Sequence, residues 1–142
     1  ALLILALLEY QSGWVTNPMP DEKSLLYPMG NYDLYRQGLY KQLSWACNEL
    51  NRGFYLWQIN ALAVWTLGDS TVVAIDPTIN GGTAALQYYL GILNDKPTWD
   101  LAVSDDGFIQ TYQKLFGDPF VYAFEPLIPD DLVQPELTCH SR

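Results

Sequence analysis

The sequence predicts a mainly α fold of the α+β type, in which helices are accompanied by one small β-hairpin. Apolar residues recur at three- and four-residue spacings in three separate stretches, which is the period of an amphipathic helix. A further apolar run opens the chain. Only residues 62–66 and 71–75 form a pair of β-branched, apolar runs with a turn between them. The β-structure is therefore expected to be a minor part of the domain.

The opening stretch, ALLILALLEYQSGWV, predicts an apolar helix whose only charge, Glu9, lies in its last turn. The run is too short to span a bilayer and is interrupted by a carboxylate. It also lacks the basic flank and the cleavage site of a signal peptide. Because no capping residue precedes the run, we expect the chain to begin inside a longer helix of a larger protein.

A loop is predicted for residues 16–33, which contain three prolines and a glycine and show no period. An amphipathic pattern then begins at Leu34 and predicts a helix. Asp33 is the expected N-cap of this helix, and Gly53 is its expected C-terminal end.

The hairpin turn is predicted at residues 67–70, which read Leu-Gly-Asp-Ser. A second helix follows in NGGTAALQYYLG, and both Asn80 and Thr83 are candidates for its N-cap. Residues 94–97 are expected to form another turn.

The last predicted helix runs from about Ser104 to Phe116 and is closed by Gly117. Beyond it, residues 125–142 have the composition of a Pro-rich acidic arm or linker. The expected organisation is therefore one helical domain over residues 1–124 followed by this arm.

Composition and charge limit the classes of function. The chain has 142 residues, of which 49% are hydrophobic and 14% aromatic, so it can bury a core. Its formal net charge of -9 disfavours binding to nucleic acid or to an anionic lipid surface. A glycan partner would have to be held by stacking and hydrogen bonds.

Cysteine and histidine are too scarce for the common metal and triad sites. Cys47 and Cys139 show no CxxC spacing, so a zinc site is disfavoured, and both a long-range disulfide and two free thiols remain open. The single His140 makes a Ser-His-Asp triad improbable. We expect no metal and no cofactor, and carboxylates are left as the groups able to carry chemistry.

Two resemblances follow from specific strings. The strings that carry the first are LALLEYQSGWVT, GLYKQLSWACNELNRGFYLW and NGGTAALQYYL. Over roughly residues 1–128, the chain resembles a helical domain found ahead of M23-type metallopeptidase domains in bacterial envelope proteins, especially from Chloroflexi. The chain also resembles the lysozyme-like group, which includes the lytic transglycosylases. The resemblance is in the order of its elements, which are a helix that ends near a Glu, a loop, an aromatic-rich helix and a hairpin. This chain places Tyr10 and Gln11 between Glu9 and Ser12, where that group has an adjacent Glu-Ser pair.

The lysozyme-like resemblance implies cleavage of peptidoglycan glycan strands, with Glu9 as the general acid/base. A helix C-terminus and apolar neighbours both disfavour an ionised carboxyl, which suits a general acid. The structural alternative is that a backbone amide, Arg36 or Arg52 satisfies Glu9. Candidates for a second carboxylate, none of which has a motif, are Asp21, Glu22, Asp33 and Asp69.

Five further residues are candidates for binding the sugar: Ser12, Trp14, Trp57, Asn80 and Tyr88. The three aromatic residues lie beside turns or off the main apolar stripes, and a half-exposed ring suits stacking. Ser12 and Asn80 have structural alternatives as a turn residue and a helix cap. Trp45 and Trp65 are instead expected to lie in the core.

The sequence therefore predicts a secreted or envelope-attached protein that acts on peptidoglycan or another glycan, without membrane insertion, and with a possible neighbouring peptidase domain. Two alternatives to glycan cleavage remain open. One is a non-catalytic domain that binds or positions the cell-wall glycan for the peptidase. The other is a structural subunit of an envelope assembly.

Overall fold

A computed structural model describes residues 1–119 and residue 121. In this part of the chain there are six α-helices, one 3₁₀ turn and two strands. They are α1 (Leu2–Ser12), α2 (Glu22–Leu26), the 3₁₀ turn Leu34–Arg36, α3 (Leu39–Gln58), β1 (Val64–Thr66), β2 (Val72–Ala74), α4 (Gly81–Leu93), α5 (Lys96–Val103) and α6 (Phe108–Phe116). The predicted mainly helical fold with one small hairpin is confirmed. The predicted arm, Cys139 and His140 lie outside the described residues.

Helix α1 enters the core because it is apolar on most sides. Ala6 and Leu7 are completely buried, and the helix packs against α6. It ends at Gly13, whose φ of 63° is left-handed and whose amide donates a 2.7 Å hydrogen bond to the carbonyl oxygen of Glu9. Glycine adopts this conformation without the steric cost of a side chain, so it closes the helix.

The region predicted to be a loop contains a short helix, α2. Asp21 caps it, since its side chain accepts a 2.7 Å hydrogen bond from the amide of Ser24. The rest of the region between α1 and the 3₁₀ turn has no regular secondary structure, as expected.

The predicted bounds of the long central helix were wrong at both ends. Asp33 caps the 3₁₀ turn, accepting a 2.9 Å hydrogen bond from the amide of Tyr35, and α3 begins only after Gly38. Gly53 lies inside α3, where a Cβ atom would be 2.7 Å from the Cβ atom of Tyr88 on α4. The glycine therefore allows two helices to approach closely, a contact that local sequence cannot reveal.

The hairpin forms where it was predicted, with shorter strands. Its antiparallel register pairs Trp65 with Val73, and Trp65 is buried as expected. Helix α4 follows, and Asn80 caps it by accepting a 2.9 Å hydrogen bond from the amide of Thr83. Of the two candidate caps, the structure therefore selects Asn80.

Of the turn predicted at residues 94–97, Asn94 and Asp95 connect α4 to α5, whereas Lys96 and Pro97 are already the first residues of α5. Asp95 caps α5 by accepting a 3.0 Å hydrogen bond from the amide of Thr98, and Pro97 lies in the first turn, where its missing amide costs no hydrogen bond. Helix α6 begins at Phe108 and not near Ser104, whose hydroxyl instead donates to the Leu101 carbonyl at the end of α5. Gly117 ends α6 as predicted.

The core lies between α1, α3 and α4 and is closed by the hairpin and α5. Trp65, Tyr89, Leu7, Met29 and Leu90 are among its largest fully buried side chains. Trp45 is also buried, as expected from the sequence. Within the described residues, every helix is either too short or too polar to cross a membrane.

Candidate functional site

Glu9 braces the turn that follows α1. Its Oε2 atom accepts hydrogen bonds from the amides of Val15 (2.9 Å) and Thr16 (3.1 Å), and its Oε1 atom accepts one from the Thr16 hydroxyl (2.6 Å). A carboxylate has about four acceptor sites, and three are occupied here. The structural alternative predicted for Glu9, in which a backbone amide satisfies its carboxylate, is therefore what the structure has.

A cleft of about 410 Å³ lies next to this carboxylate. Besides Glu9 it is lined by Tyr10 and Thr16 from the first part of the chain, and by Thr111, Lys114 and Leu115 from α6. A substrate in this cleft would contact a carboxylate whose oxygens already hold the turn. Any proton transfer from Glu9 would have to compete with those three hydrogen bonds.

Ser12 and Trp14 lie close to Glu9 in sequence but have other contacts. The Ser12 hydroxyl donates a 2.8 Å hydrogen bond to the carbonyl oxygen of Leu8, one turn back in α1, and Ser12 lines a different cleft from Glu9. Trp14 is partly buried and packs against the core. The hydroxyl of Ser12 keeps its acceptor sites for a ligand.

Trp57 and Asn80 lie in another part of the molecule. Trp57 is partly buried at the end of α3 and lines a cleft of about 360 Å³ with Asn60, Leu62 and three residues of the hairpin region. The side-chain oxygen of Asn80 is engaged as the cap of α4.

Tyr88 belongs to the contact between α3, α4 and the hairpin. Its ring lies against Gly53 and meets the Trp65 ring edge-on, with centroids 5.7 Å apart and planes at 63°. Its hydroxyl donates to a carboxylate oxygen of Glu49 at 3.5 Å, and burial raises the pKa of Tyr88. The ring therefore contributes to packing between the elements.

The predicted site residues do not meet in one cleft. Glu9, Ser12 and Trp57 line three different clefts. Trp14 and Tyr88 pack against the core, and Asn80 caps a helix. Their proposed roles in catalysis and sugar binding stay predictions.

A cleft that the sequence did not reveal lies between the end of α1 and α2, and we call it the tyrosine cleft. Its volume is about 320 Å³. It is lined by Tyr10, Gln11, Ser12, Gly13, Asp21, Lys23, Ser24, Tyr27 and Tyr32. Two of its tyrosines, Tyr27 and Tyr32, come from the predicted loop, and Tyr10 comes from α1.

The aromatic side of the tyrosine cleft is held by several contacts. The rings of Tyr27 and Tyr32 meet edge-on with centroids 5.3 Å apart, and the Lys23 ammonium group lies 4.8 Å from the Tyr32 ring centroid. The side-chain nitrogen of Gln37 donates a 2.8 Å hydrogen bond to the Tyr27 hydroxyl. These contacts restrict the positions of the Tyr27 and Tyr32 side chains.

The charges lining the tyrosine cleft are one anion and one cation. The backbone hydrogen bond from Ser24 is the main cause of the lowered pKa of Asp21, and Lys23 contributes in the same direction. Burial raises the pKa of Tyr10 above its usual value of 10.0, which favours the protonated hydroxyl. The lining is therefore polar and carries no net charge.

Gln11 forms the inner wall of the tyrosine cleft. A Cβ atom on Gly30 would lie only 2.8 Å from the side-chain oxygen of Gln11, and Gly30 has a φ of +81°. The side-chain nitrogen of Gln11 is buried without a hydrogen-bond partner among residues 1–119 and 121. A buried donor without an acceptor is unfavourable, so this amide gains if it turns toward an acceptor.

Cys47 is exposed on α3, and its predicted alternatives of disulfide and free thiol stay open because Cys139 is outside the described residues. Within the described part of the chain, no group of three or more His, Cys, Asp or Glu side chains is arranged to hold a metal ion.

These observations define a mainly helical domain with several surface clefts, one of them lined by tyrosines and without net charge. Residues 2–129 match the family described as the LasA N-terminal domain, and the chain belongs to this family. In LasA-like proteins this domain precedes an M23 peptidase. The resemblance to a domain found ahead of M23 peptidases is thereby supported, whereas no finding supports the lysozyme-like group. No curated protein and no solved structure matches the chain significantly.

Proposed function

We propose that this chain is a non-catalytic domain of an envelope peptidase, and that it binds cell-wall glycan and positions the neighbouring peptidase on it. Membership of the LasA N-terminal domain family carries this proposal, because that domain lies next to an M23 peptidase. The bond-breaking step then belongs to the peptidase. The protein works in the envelope or outside the cell.

The state of Glu9 agrees with a non-catalytic role. Its two oxygens accept hydrogen bonds from Val15 and Thr16 and so stabilise the turn after α1. Ser12, one of the residues predicted to bind the sugar, donates its hydroxyl hydrogen to the carbonyl oxygen of Leu8. Both side chains thus have a structural task that explains their presence.

The charge of the chain limits how a glycan can be held. With a net charge of -9, the domain gains no attraction to an anionic polymer as a whole. Binding must then depend on aromatic surfaces and on neutral hydrogen-bond donors and acceptors. The chain has fifteen Tyr and Trp residues together, and several of the tyrosines are exposed.

Incubation of the 142-residue chain with purified, insoluble peptidoglycan tests this proposal. We expect the chain to sediment with the polymer while no muropeptides are released, and the variant Glu9→Gln to sediment equally well. A chain that stays in the supernatant at every polymer concentration would contradict the proposal.

The same experiment tests the hypothesis that the domain cleaves glycan strands with Glu9 as general acid/base. Release of muropeptides by the wild-type chain, lost in a folded Glu9→Gln variant, would support cleavage and contradict a non-catalytic role. Circular dichroism of the variant is the necessary control for folding.

A further inference from the structure

The tyrosine cleft has the size and the chemistry of a small-ligand site. Its volume of about 320 Å³ lies at the lower end of the range of about 300–1,000 Å³ that is usual for ligand pockets. Its walls present phenol and serine hydroxyls, one carboxamide, one ammonium group and one carboxylate. Such a set offers both donors and acceptors over a short distance, which suits a ligand with many hydroxyl groups.

Charge favours an uncharged ligand. Asp21 and Lys23 are the charged residues that line the cleft, and they are two residues apart on the same short segment, so their charges compensate each other. The chain as a whole is strongly acidic, and an anionic ligand would be repelled on its approach. A neutral polyol is not repelled by the acidic chain and needs no net charge in the cleft.

Tyr32 provides an aromatic surface at the mouth of the cleft. The residue is 59% exposed, although the Lys23 ammonium group and the Tyr27 ring both contact it. An exposed ring held in place by its neighbours loses little conformational freedom when a ligand packs against it. The apolar C–H face of a sugar ring fits such a surface.

Gln11 indicates which group the ligand carries. Its side-chain nitrogen has no acceptor among the described residues, so no hydrogen bond from this nitrogen holds the amide in its buried orientation. Rotation of the amide would present this donor to the cleft that Gln11 lines. The strongest neutral partner for it is a carbonyl oxygen, as in an acetamido group.

The segment bearing the tyrosines is fixed from the core side. Gln42 on α3 is completely buried and accepts from the amides of Met29 (3.2 Å) and Asn31 (3.4 Å). Its side-chain nitrogen donates to the carbonyl oxygens of Asn31 (2.6 Å) and Arg36 (2.9 Å). The cleft is therefore largely preformed, which lowers the cost of binding.

We infer that the tyrosine cleft binds an uncharged saccharide unit carrying an acetamido group, with Tyr32 packing against the sugar ring and Gln11 donating to the acetamido oxygen. This inference rests on the proposed glycan-binding role and gives that role a location. It is separate from Glu9, which lines another cleft.

Titration of the ¹⁵N-labelled chain with tri-N-acetylchitotriose, followed by amide chemical shifts, tests the inference. We expect the shifts to change mainly in residues 10–13 and 21–32. Cellotriose, which lacks the acetamido groups, should bind at least tenfold more weakly. Equal affinity for the two sugars would overturn the role of Gln11, and changes centred on Trp57 or on Glu9, or none up to the solubility limit, would overturn the site.

Matched variants separate the cleft from the rest of the surface. Tyr32→Ala should weaken binding at least tenfold, whereas Tyr35→Ala, which removes a ring that is 87% exposed and outside the cleft, should change it less than twofold. Gln11→Met keeps the length of the side chain and should abolish the preference for the acetamido sugar. Equal effects of the two tyrosine variants would contradict the inference.

Sedimentation with peptidoglycan distinguishes a failure of the proposed function from a failure of the tyrosine cleft as its site. If wild type and Tyr32→Ala both sediment equally well, the proposed function stands and the tyrosine cleft is not its site. If the wild-type chain does not sediment, the proposed function itself fails. Binding of the trisaccharide without sedimentation would leave a sugar site with a different source of ligand.

Discussion

The hydroxyl of Tyr89 donates a 2.7 Å hydrogen bond to the backbone carbonyl oxygen of Met29, and both residues are completely buried although sixty positions separate them. Tyr89 lies on α4, and Met29 lies in the segment between α2 and the 3₁₀ turn. The amide of Met29 is in turn bonded to Gln42 on α3. The segment that forms the tyrosine cleft is thus attached to two core helices through one residue.

The first prediction concerns this contact. Tyr89→Phe should lower the free energy of unfolding by about 1–2 kcal/mol, because the Met29 carbonyl is left without its partner in a place that water does not reach. Urea denaturation measures the change. Tyr40→Phe, at a tyrosine that is 84% exposed, is the control and should be close to neutral. Equal effects in the two variants would argue against the buried bond.

Gln42→Leu should be more damaging. It removes four hydrogen bonds and leaves backbone groups of Met29, Asn31 and Arg36 without that partner, so we expect a loss of about 3 kcal/mol. Hydrogen exchange should also become faster at the amides of Met29 and Asn31. The control Gln113→Leu changes an exposed position on α6, and there the exchange of these two amides should remain as in wild type.

Gly53→Ala should destabilise the domain even though alanine is the better helix former. In an open helix the change would gain about 1 kcal/mol. Here the new Cβ atom would lie 2.7 Å from the Cβ atom of Tyr88, and we expect a net loss of about 1–3 kcal/mol. Thermal denaturation can compare it with Gly82→Ala, whose new Cβ atom meets only the Asn80 side chain, at 3.3 Å. A more stable Gly53→Ala variant would contradict the close helix contact.

Glu9→Gln tests the brace after α1. An amide offers one acceptor oxygen where the carboxylate offers two, so the variant cannot accept all three hydrogen bonds from Val15 and Thr16. We expect a loss of about 1 kcal/mol in urea denaturation. Thr16→Val, which removes only the hydroxyl bond, should cost less. A larger effect of Thr16→Val would show that the carboxylate is not the centre of the brace.

The lowered pKa of Asp69 should make the stability of the fold depend on pH. The amide of Thr71 and then that of Lys96 donate to its carboxylate and lower its pKa below the usual 3.8, which ties the hairpin turn to the start of α5. A carboxyl whose pKa is lower in the folded state stabilises the fold above the unfolded value. This contribution is lost as the pH falls through the folded pKa.

Melting temperatures of wild type and Asp69→Asn, measured between pH 6 and pH 2.5, check this prediction. The wild-type chain should melt at the higher temperature at pH 6, and the difference should shrink as the pH falls below about 4. Asp21 and Asp76 also have lowered pKa values, so only the difference between the two proteins isolates Asp69. A difference that grows toward low pH would contradict the assignment.

Sequence patterns located the elements better than their ends. The apolar run, the hairpin and the α4 pattern all appear where they were expected, because periodicity and capping act over a few residues. The local sequence indicated Asn80 and Thr83 as candidate caps of α4, and the structure selects Asn80. Local patterns gave the wrong result where one residue type has two structural roles. Glycine both ends helices and allows close helix contacts, and Gly53, predicted to end α3, lies at such a contact with α4.

The candidate site was predicted less well than the fold. Glu9 stood out because it is the only charge in an apolar helix, yet its partners, the amides of Val15 and Thr16, depend on how the following turn folds back. The tyrosine cleft was not predicted from the sequence, because its walls come from α1, α2 and the segment after α2. No short motif marks residues that become neighbours only when such elements pack.

The sequence by itself determined the class of the fold, the presence of one hairpin and the acidic, aromatic composition of the chain, since these follow from composition and from patterns over a few residues. Only the tertiary structure decided where the segment after α2 lies, because the Tyr89–Met29 bond and the four bonds of Gln42 join residues far apart in sequence. It likewise decided which side chains share a cleft, since that depends on the packing of whole elements.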